Sequence, residues 1–220
     1  YRVKVQLYRR GLNGQQPFET LVDESTVKTG IRTVSVDSIH GFRLNGVSRK
    51  LKGVCLHHDL GPLGAAVNRA AIERQIRIMK EMGADAIRTS HNMPSQLQMD
   101  VCDSMGMMVM AESFDMWRYP KCKNGYSRFF DQWADKDIHN LIVANRNHPS
   151  IVMWSIGNEI PEQWSEEGKR LSMHLQDLCH QLDPTRPVTQ GIDRAEDALR
   201  SGFAQVMDIP GFNYRVYKYA

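Results

Sequence analysis

The 220 residues contain no Cys-x-x-Cys pair, no apolar run approaching the roughly 20 residues of a membrane span, no block of like charge, and no secretory leader at residues 1–4. Each absence removes a class of protein. The four cysteines, Cys55, Cys102, Cys122 and Cys179, are dispersed and mostly sit in apolar segments. They read as free thiols, neither a disulfide framework nor a zinc site. The 28 basic and 25 acidic residues are interspersed and leave a net charge of +3, which argues against a nucleic-acid tract or a membrane-binding patch. A soluble chain is expected, periplasmic or cytoplasmic in preference to membrane-bound, with no compartment specified. A hydrophobic content of 41% and a charged content of 24% are ordinary for a globular protein. The length suffices for one good core and part of a second, but a closed eight-stranded α/β barrel, at about 250 residues, would not fit.

What is present is organised around residues 145–159, which read Asn-Arg-Asn-His-Pro-Ser-Ile-Val-Met-Trp-Ser-Ile-Gly-Asn-Glu. The apolar stretch at 151–156, opened by Pro149 and rich in β-branched and aromatic residues, predicts a short, fully buried strand. Asn158 and Glu159 close it. Polar groups at the C-terminal end of a buried parallel strand point into the mouth of an α/β barrel, where catalytic groups gather, so Glu159 is the first catalytic candidate. On local sequence alone the pair fits a cap on the next helix equally well.

Residues 1–8 alternate Val3, Val5 and Leu7 against Arg2, Lys4 and Gln6, as a half-buried antiparallel strand does. Residues 11–14 carry turn chemistry, and residues 18–22 and 27–36 predict two more strands, too few in all to close a sandwich. Asn45-Gly46, with apolar flanks at 42–44 and 47, predicts a tight hairpin. From Lys52 the pattern becomes alternating strand and helix, the mark of parallel βα units. Strands are predicted at 53–59, 86–90, 107–111, 151–156, 187–192 and 206–214. One helix begins at Asn68 (Ile72, Ile76 and Met79 on one face, stopping at Gly83) and another at Pro94-Ser95 (Leu97, Val101 and Met105, stopping at Gly106). A third runs from Phe129 with Phe130, Trp133, Ile138, Leu141 and Ile142. A fourth carries Leu171, Leu175, Leu178 and Leu182.

A second stretch, Asp85-Ala86-Ile87-Arg88-Thr89-Ser90-His91-Asn92-Met93-Pro94 continuing to Asp103-Ser104-Met105-Gly106, completes a pattern. In order and spacing, it and residues 145–159 resemble the two signature segments of glycoside hydrolase family 2, the β-galactosidases, β-glucuronidases and β-mannosidases. The likeness covers about residues 38 to 214. It implies an α/β fold: an incomplete (β/α)8 TIM barrel of about six strands over residues 38–220, plugged at its bottom by the 42–47 hairpin. Residues 1–37 would be the last strands of an immunoglobulin-like β-sandwich. It also implies a retaining exo-β-glycosidase acting on terminal β-linked sugars, β-galactosidase-like before β-glucuronidase or β-mannosidase. No cofactor, required metal, nucleic acid or membrane partner is expected, and a homo-oligomeric parent is left open.

The resemblance assigns roles residue by residue. Glu159 would be the general acid/base, a role that requires a pKa raised toward neutrality. Asn158 would bind the sugar 2-hydroxyl, and His57 and His91, at the ends of the first two barrel strands, other sugar hydroxyls; His58 or Asp59 could serve instead. Arg88 would orient the site carboxylates or else form an ion pair in the barrel layer. Tyr214 resembles the tyrosine that contacts the nucleophile. Trp117, on a loop at the mouth, is the candidate stacking platform, whereas Trp154 reads as core. Glu112 and Asp115 are expected to bind sugar or support the site. Retention needs two carboxylates about 5 to 5.5 Å apart. The family's nucleophile, at the end of strand seven, is expected beyond Ala220, so the chain alone should be inactive. Asp85 stands where the family pattern has Asn, and Asn92 where many members carry an aromatic. The competing expectations are a carbohydrate-binding or catalytically decayed module of the same fold, and an α/β domain whose strand-end polar groups are only caps.

Overall fold

A computed structural model describes residues 1–218. β1 (Arg2–Asn13) and β2 (Gln16–Lys28) form an antiparallel ribbon. Its turn falls at residues 14–15, later than predicted, because Gly11 is a strand residue. It lies opposite Phe18, and a Cβ there would stand 2.7 Å from that ring. A bulge opposite Leu7 and Tyr8 absorbs Val22 and lets segment 23–26 stay paired, so the strand predicted at 18–22 runs on to Lys28, and the one predicted at 27–36 is broken after its first two residues. Val3, Val5 and Leu7, at 48%, 60% and 61% exposure, leave the apolar face of the ribbon uncovered among the described residues.

β3 (Val34–Asp37), β4 (Gly41–Leu44) and β5 (Val47–Ser48) make a second small antiparallel sheet. β3 pairs with β4 and not with the ribbon, so this sheet spans the junction expected at residues 37 and 38. Asn45 and Gly46, with φ of 52° and 79°, form the mirror-image turn whose twist suits a two-residue hairpin. Val34, Phe42 and Leu44 pack against Ala86, Met108, Val152 and Met153. Arg32 fastens the preceding segment to the barrel, donating to the carbonyls of Pro149 (2.8 Å) and Ile151 (2.7 Å).

The main sheet is wholly parallel and in sequence order: β6 (Gly53–His57), β7 (Ala86–Ser90), β8 (Met108–Glu112), β9 (Ile151–Asn158), β10 (Val188–Ile192) and β11 (Ile209–Phe212). Between them run α1 (Arg69–Glu81), α2 (Gln96–Met105), α3 (Phe130–Asn145), α4 (Glu166–Leu182) and α5 (Ala195–Ser201). This is an incomplete (β/α)8 barrel with six strands. The starts of α1, α2 and α4 are capped by the side chains of Asn68, Ser95 and Ser165, and α2 ends at Gly106 in the left-handed conformation. Ile87, Val109, Trp154, Ile156 and Val188 of the sheet share one core with Ile72, Ile76, Ile138, Leu141 and Leu175 of the helices. Trp154 is core, as predicted, its indole N–H donating to Asp183. Trp133 is not. It is 42% exposed on the outer face of α3, beneath the ammonium of Lys136.

None of the four cysteines is paired, and burial pushes the Cys102 and Cys179 thiols up to about 12, leaving both inert. No helix of the described residues is long and apolar enough to cross a membrane.

The ends of the sheet differ from its middle. All eight residues of β9 are buried, whereas Gly53, Cys55 and His57 of β6 are exposed because that strand pairs only with β7. β11 likewise pairs only with β10. Two open strand edges and an uncovered apolar ribbon are templates for pairing with other chains. Expressed alone, residues 1–220 should therefore sediment as concentration-dependent assemblies, and Cys55→Lys, which places a charge on the open β6 face without touching the core, should shift them toward monomer. A monodisperse, cooperatively melting wild-type monomer would contradict this.

Candidate active site

The C-terminal ends of the parallel strands deliver six of the predicted residues to one side of the sheet. Register decides which side chains point inward. On β7, Ile87 faces the helices and Arg88 the barrel interior, and on β9 the strand ends in Asn158 and Glu159. Arg88 meets Glu112, the last residue of β8, with Nε and Nη2 at 2.7 and 2.6 Å from the same carboxylate oxygen. The arginine side chain is 14% exposed and the glutamate not at all. Ser155 donates to that oxygen at 2.5 Å, and the other oxygen lies 2.5 Å from His91 Nδ1. The carboxylate can only accept, so the His91 proton sits on Nδ1 and Nε2 is free for another partner. Arg88 reaches on through Nη2 to the side-chain oxygen of Asn158, at 2.9 Å. It forms the ion pair considered for it, and the further group it holds is the Asn158 amide, where a site carboxylate had been expected. Glu112, fully buried, supports the site and cannot bind sugar.

Asn158 is held from its other side as well. Its Nδ2 donates to Asp115 (3.1 Å), and its backbone carbonyl accepts from Lys121 (2.7 Å). Burial would raise the Asp115 carboxyl, but hydrogen bonds from Asn158 and Lys121, with the ammonium charge, outweigh it and hold the group below its ordinary value. Asp115 is thus ionised at any pH above the usual carboxylate range.

Glu159 is partly buried and has a φ of +46°, the left-handed region that few non-glycine residues occupy. Its carboxylate accepts from Asn213 Nδ2 at 2.9 Å. The same carboxylate, as a neighbouring acceptor and negative charge, pushes the Tyr214 hydroxyl above its ordinary value. His57, at the end of β6, stands edge-on to His91 with ring centroids 5.2 Å apart. Its neighbours are spent on the following loop: His58 Nε2 lies 3.0 Å from the Ala65 carbonyl, and Asp59 caps the Gly61 N–H.

Trp117 corrects the sequence reading. It is wholly buried, donates its indole N–H to the Ile156 carbonyl at 2.9 Å, and packs among Phe130 and Phe203, so it offers no surface to a sugar. The loop after β8 folds back over the sheet because Phe114, Met116 and Trp117 are all buried there, an apolar density that the loop assignment overlooked.

Four contributors escaped the sequence reading. Ser155 was visible as the lone hydroxyl in an apolar strand, and Asn213 as the neighbour of Tyr214, but Lys121 has no local signature. Gly191 is the fourth. A Cβ there would lie 2.9 Å from Arg88 Nη2 and 3.0 Å from both Asn158 Oδ1 and Asn213 Nδ2, so only glycine lets these three groups converge. Among the described residues, Asp100, Asp103 and His148 are the one trio close enough together to ligate a metal. They sit at the start of β9, away from Glu159, where Asp103 binds His148 and the Ser150 N–H and so fixes the turn into the strand. At the two departures from the signature, Asp85 accepts from Arg49 and the Lys52 N–H, and Asn92 is exposed and donates to the Met93 carbonyl.

Residues 34–216 match the TIM barrel domain of the glycosyl hydrolases of family 2. A β-galactosidase, BoGH2A, of Bacteroides ovatus is 43% identical across 89% of this chain, which spans 27% of that protein. A solved structure of a family 2 member from Bacteroides cellulosilyticus superposes with a TM-score of 0.87 at 40% identity, over 98% of this chain and 27% of its own. A β-glucuronidase of Bacteroides uniformis, solved covalently bound to cyclophellitol-6-carboxylate aziridine, gives a TM-score of 0.75 at 30% identity, over 88% of this chain and 24% of its own. The chain thus spans about a quarter of the length of these relatives.

Two outcomes follow from the geometry. Glu112→Ala leaves the Arg88 charge buried and unpaired and should destabilise the folded enzyme by about 3–5 kcal/mol in urea denaturation. A loss under about 1 kcal/mol, the level of a surface ion pair, would mean the pair is solvated. Gly191→Ala should displace Arg88, Asn158 or Asn213 and lower the melting temperature, and an unchanged melting temperature would show that the convergence tolerates a methyl group.

Proposed function

The chain belongs to glycoside hydrolase family 2, and from that membership we propose that the enzyme it forms part of is a retaining exo-β-glycosidase, β-galactosidase-like in its substrate, that hydrolyses terminal β-linked sugars by double displacement. The observation that carries the assignment is the pairing of Glu159 with Asn158 at the end of β9. The carboxylate is partly open and hydrogen-bonded by Asn213, and the amide beside it is oriented by Arg88 and Asp115. The ribbon β1–β2 is read as the last strands of an immunoglobulin-like sandwich ahead of the barrel, which would cover its apolar face.

In the first half-reaction the Glu159 carboxyl donates its proton to the glycosidic oxygen as the bond to the anomeric carbon breaks, and a second carboxylate attacks that carbon. In the second, the Glu159 carboxylate takes a proton from water, whose oxygen displaces the enzyme carboxylate and returns the sugar with its configuration retained. The attacking group is assigned to a glutamate outside these 220 residues, so the isolated chain should not turn over. The covalent adduct of the B. uniformis relative supports a nucleophile of this kind. Asn158 Nδ2 has a second hydrogen for the sugar 2-hydroxyl. The free Nε2 of His91, with His57 beside it, suits other hydroxyls. Tyr214, 69% exposed and close enough to Glu159 to feel its charge, is assigned the contact with the nucleophile.

In the complete enzyme, Glu159→Gln should lower kcat/KM for alkyl glycosides by about 10²–10⁴-fold, the usual worth of general acid catalysis, while sparing binding and dinitrophenyl glycosides, whose leaving group needs no proton. Near-wild-type hydrolysis of the alkyl substrate would remove Glu159 from the role. Retention has its own check. Azide added to Glu159→Ala should be captured as the β-glycosyl azide, and an α-azide would signal inversion.

A further inference from the structure

The Asn158–Glu159 peptide joins the sugar-binding amide to the acid/base carboxylate, and its orientation sets where that carboxylate points. With Glu159 in the left-handed region, the peptide does not continue the strand, and such a conformation persists only where the surroundings over-determine it. Its N–H side is held by β10, through a 2.8 Å bond from Glu159 to the Gly191 carbonyl. Its carbonyl side is held from elsewhere. Lys121 Nζ donates to the Asn158 oxygen at 2.7 Å and lies 3.0 Å from Asp115, which in turn accepts from the Asn158 amide at 3.1 Å.

We propose that Lys121 and Asp115 are positioning residues for the general acid/base: carried on the loop after β8, they clamp Asn158 by its backbone and side chain and so fix the aim of Glu159. This rests on the acid/base reading of Glu159 above. The loop can act as a clamp because it is itself anchored on both sides of the clamp's route. Trp117 bonds the Ile156 carbonyl, two residues ahead of Asn158, and the Tyr119 N–H donates at 2.8 Å to Glu162, a fully buried carboxylate on the turn just past Glu159. Lys121 follows two residues later and is thereby delivered to the peptide between those anchor points. The side chains of Lys121 and Asp115 are 25% and 40% exposed, and a solvated pair of that kind contributes little to stability. Its effect falls on geometry, where a displacement of about 1 Å can cost on the order of 10²-fold in rate.

The test uses the complete enzyme and two glycosides of one sugar, an alkyl glycoside that must be protonated to leave and a 2,4-dinitrophenyl glycoside that need not be. Lys121→Met should lower kcat/KM for the alkyl substrate by on the order of 10²-fold and for the dinitrophenyl substrate by less than about tenfold, with the melting temperature unchanged. Lys121→Arg, which can still donate to the carbonyl, should recover much of the loss. Asp115→Asn, which removes the charge that holds the lysine, should show the same leaving-group selectivity in milder form. Equal losses on both substrates, or no loss on either, in Lys121→Met and Asp115→Asn would overturn the proposal. Glu159→Gln run beside them separates the two readings. If it too lacks leaving-group selectivity, the acid/base assignment fails. If it keeps that selectivity while the lysine and aspartate variants do not, only the clamp fails.

Discussion

The buried pair of Arg88 and Glu112 is the interaction on which the mouth of this barrel depends. A charge inside a protein is tolerated only when its partners satisfy it, and the further hydrogen bonds of this pair fix other groups. Glu112 holds Ser155 and the His91 ring, and Arg88 holds the Asn158 amide. One ion pair thus joins the ends of β7, β8 and β9 into a single polar unit. Beneath it the barrel interior is apolar, formed by Ala86, Met108 and Val152 against the small plug sheet. The layering explains how two glutamates on neighbouring strands come to different uses. Glu112 is sealed in by its partners and serves as an anchor, whereas Glu159, one layer higher, stays partly open with a carboxylate that other groups can approach.

That upper layer is reached by unusual backbone. Glu159 and Tyr214, at the ends of β9 and β11, both have positive φ, at 46° and 59°, and neither is glycine. Both turns are tied to β10, Glu159 through the Gly191 carbonyl and Asn213 through that of Ile192. β10 contributes no predicted functional side chain, yet it supplies the carbonyls that hold both turns and the glycine that makes room between them. The central strand of the site acts through what it lacks.

The fold and the carboxylate proposed as the acid were legible because both rest on local pattern. Periodicity located every barrel strand and the four longer helices, and the caps at Asn68 and Ser95 were visible as residue types. The two signature stretches led to Glu159, Asn158, Arg88 and His91, and the end of the first barrel strand to His57. The failures share a cause: they depend on contacts distant in sequence. Trp117 looked like a mouth residue because it follows a strand end, and its burial comes from Phe130 and Phe203. The Gly11 turn was predicted from composition, but a cross-strand ring decided the matter. β3 reads as a continuation of the ribbon in sequence and is claimed by β4 through register. Lys121 could not have been found at all, since its role exists only once the loop is pinned to β9 from both sides.

The contacts around Glu159 divide the site in a way that bears on its family. Asn158, Asn213, Arg88, Asp115 and Lys121 all lie within these residues and satisfy one another, so on the proposed acid/base reading of Glu159 the apparatus that would aim its proton is preorganised by this segment's own interactions. The groups left with unused hydrogen-bonding capacity, His57, the Nε2 of His91 and the second hydrogen of Asn158, are those that would face a sugar. Proton delivery is common to every retaining glycosidase, whereas the identity of the sugar is read by whatever surrounds its hydroxyls. A segment that fixes the first and only begins the second can be shared by relatives named for different sugars, as the B. ovatus β-galactosidase and the B. uniformis β-glucuronidase are. On that reading the constraint on this stretch of chain is the geometry around the Glu159 carboxylate, and selectivity for one sugar over another would arise where the remaining surfaces meet it.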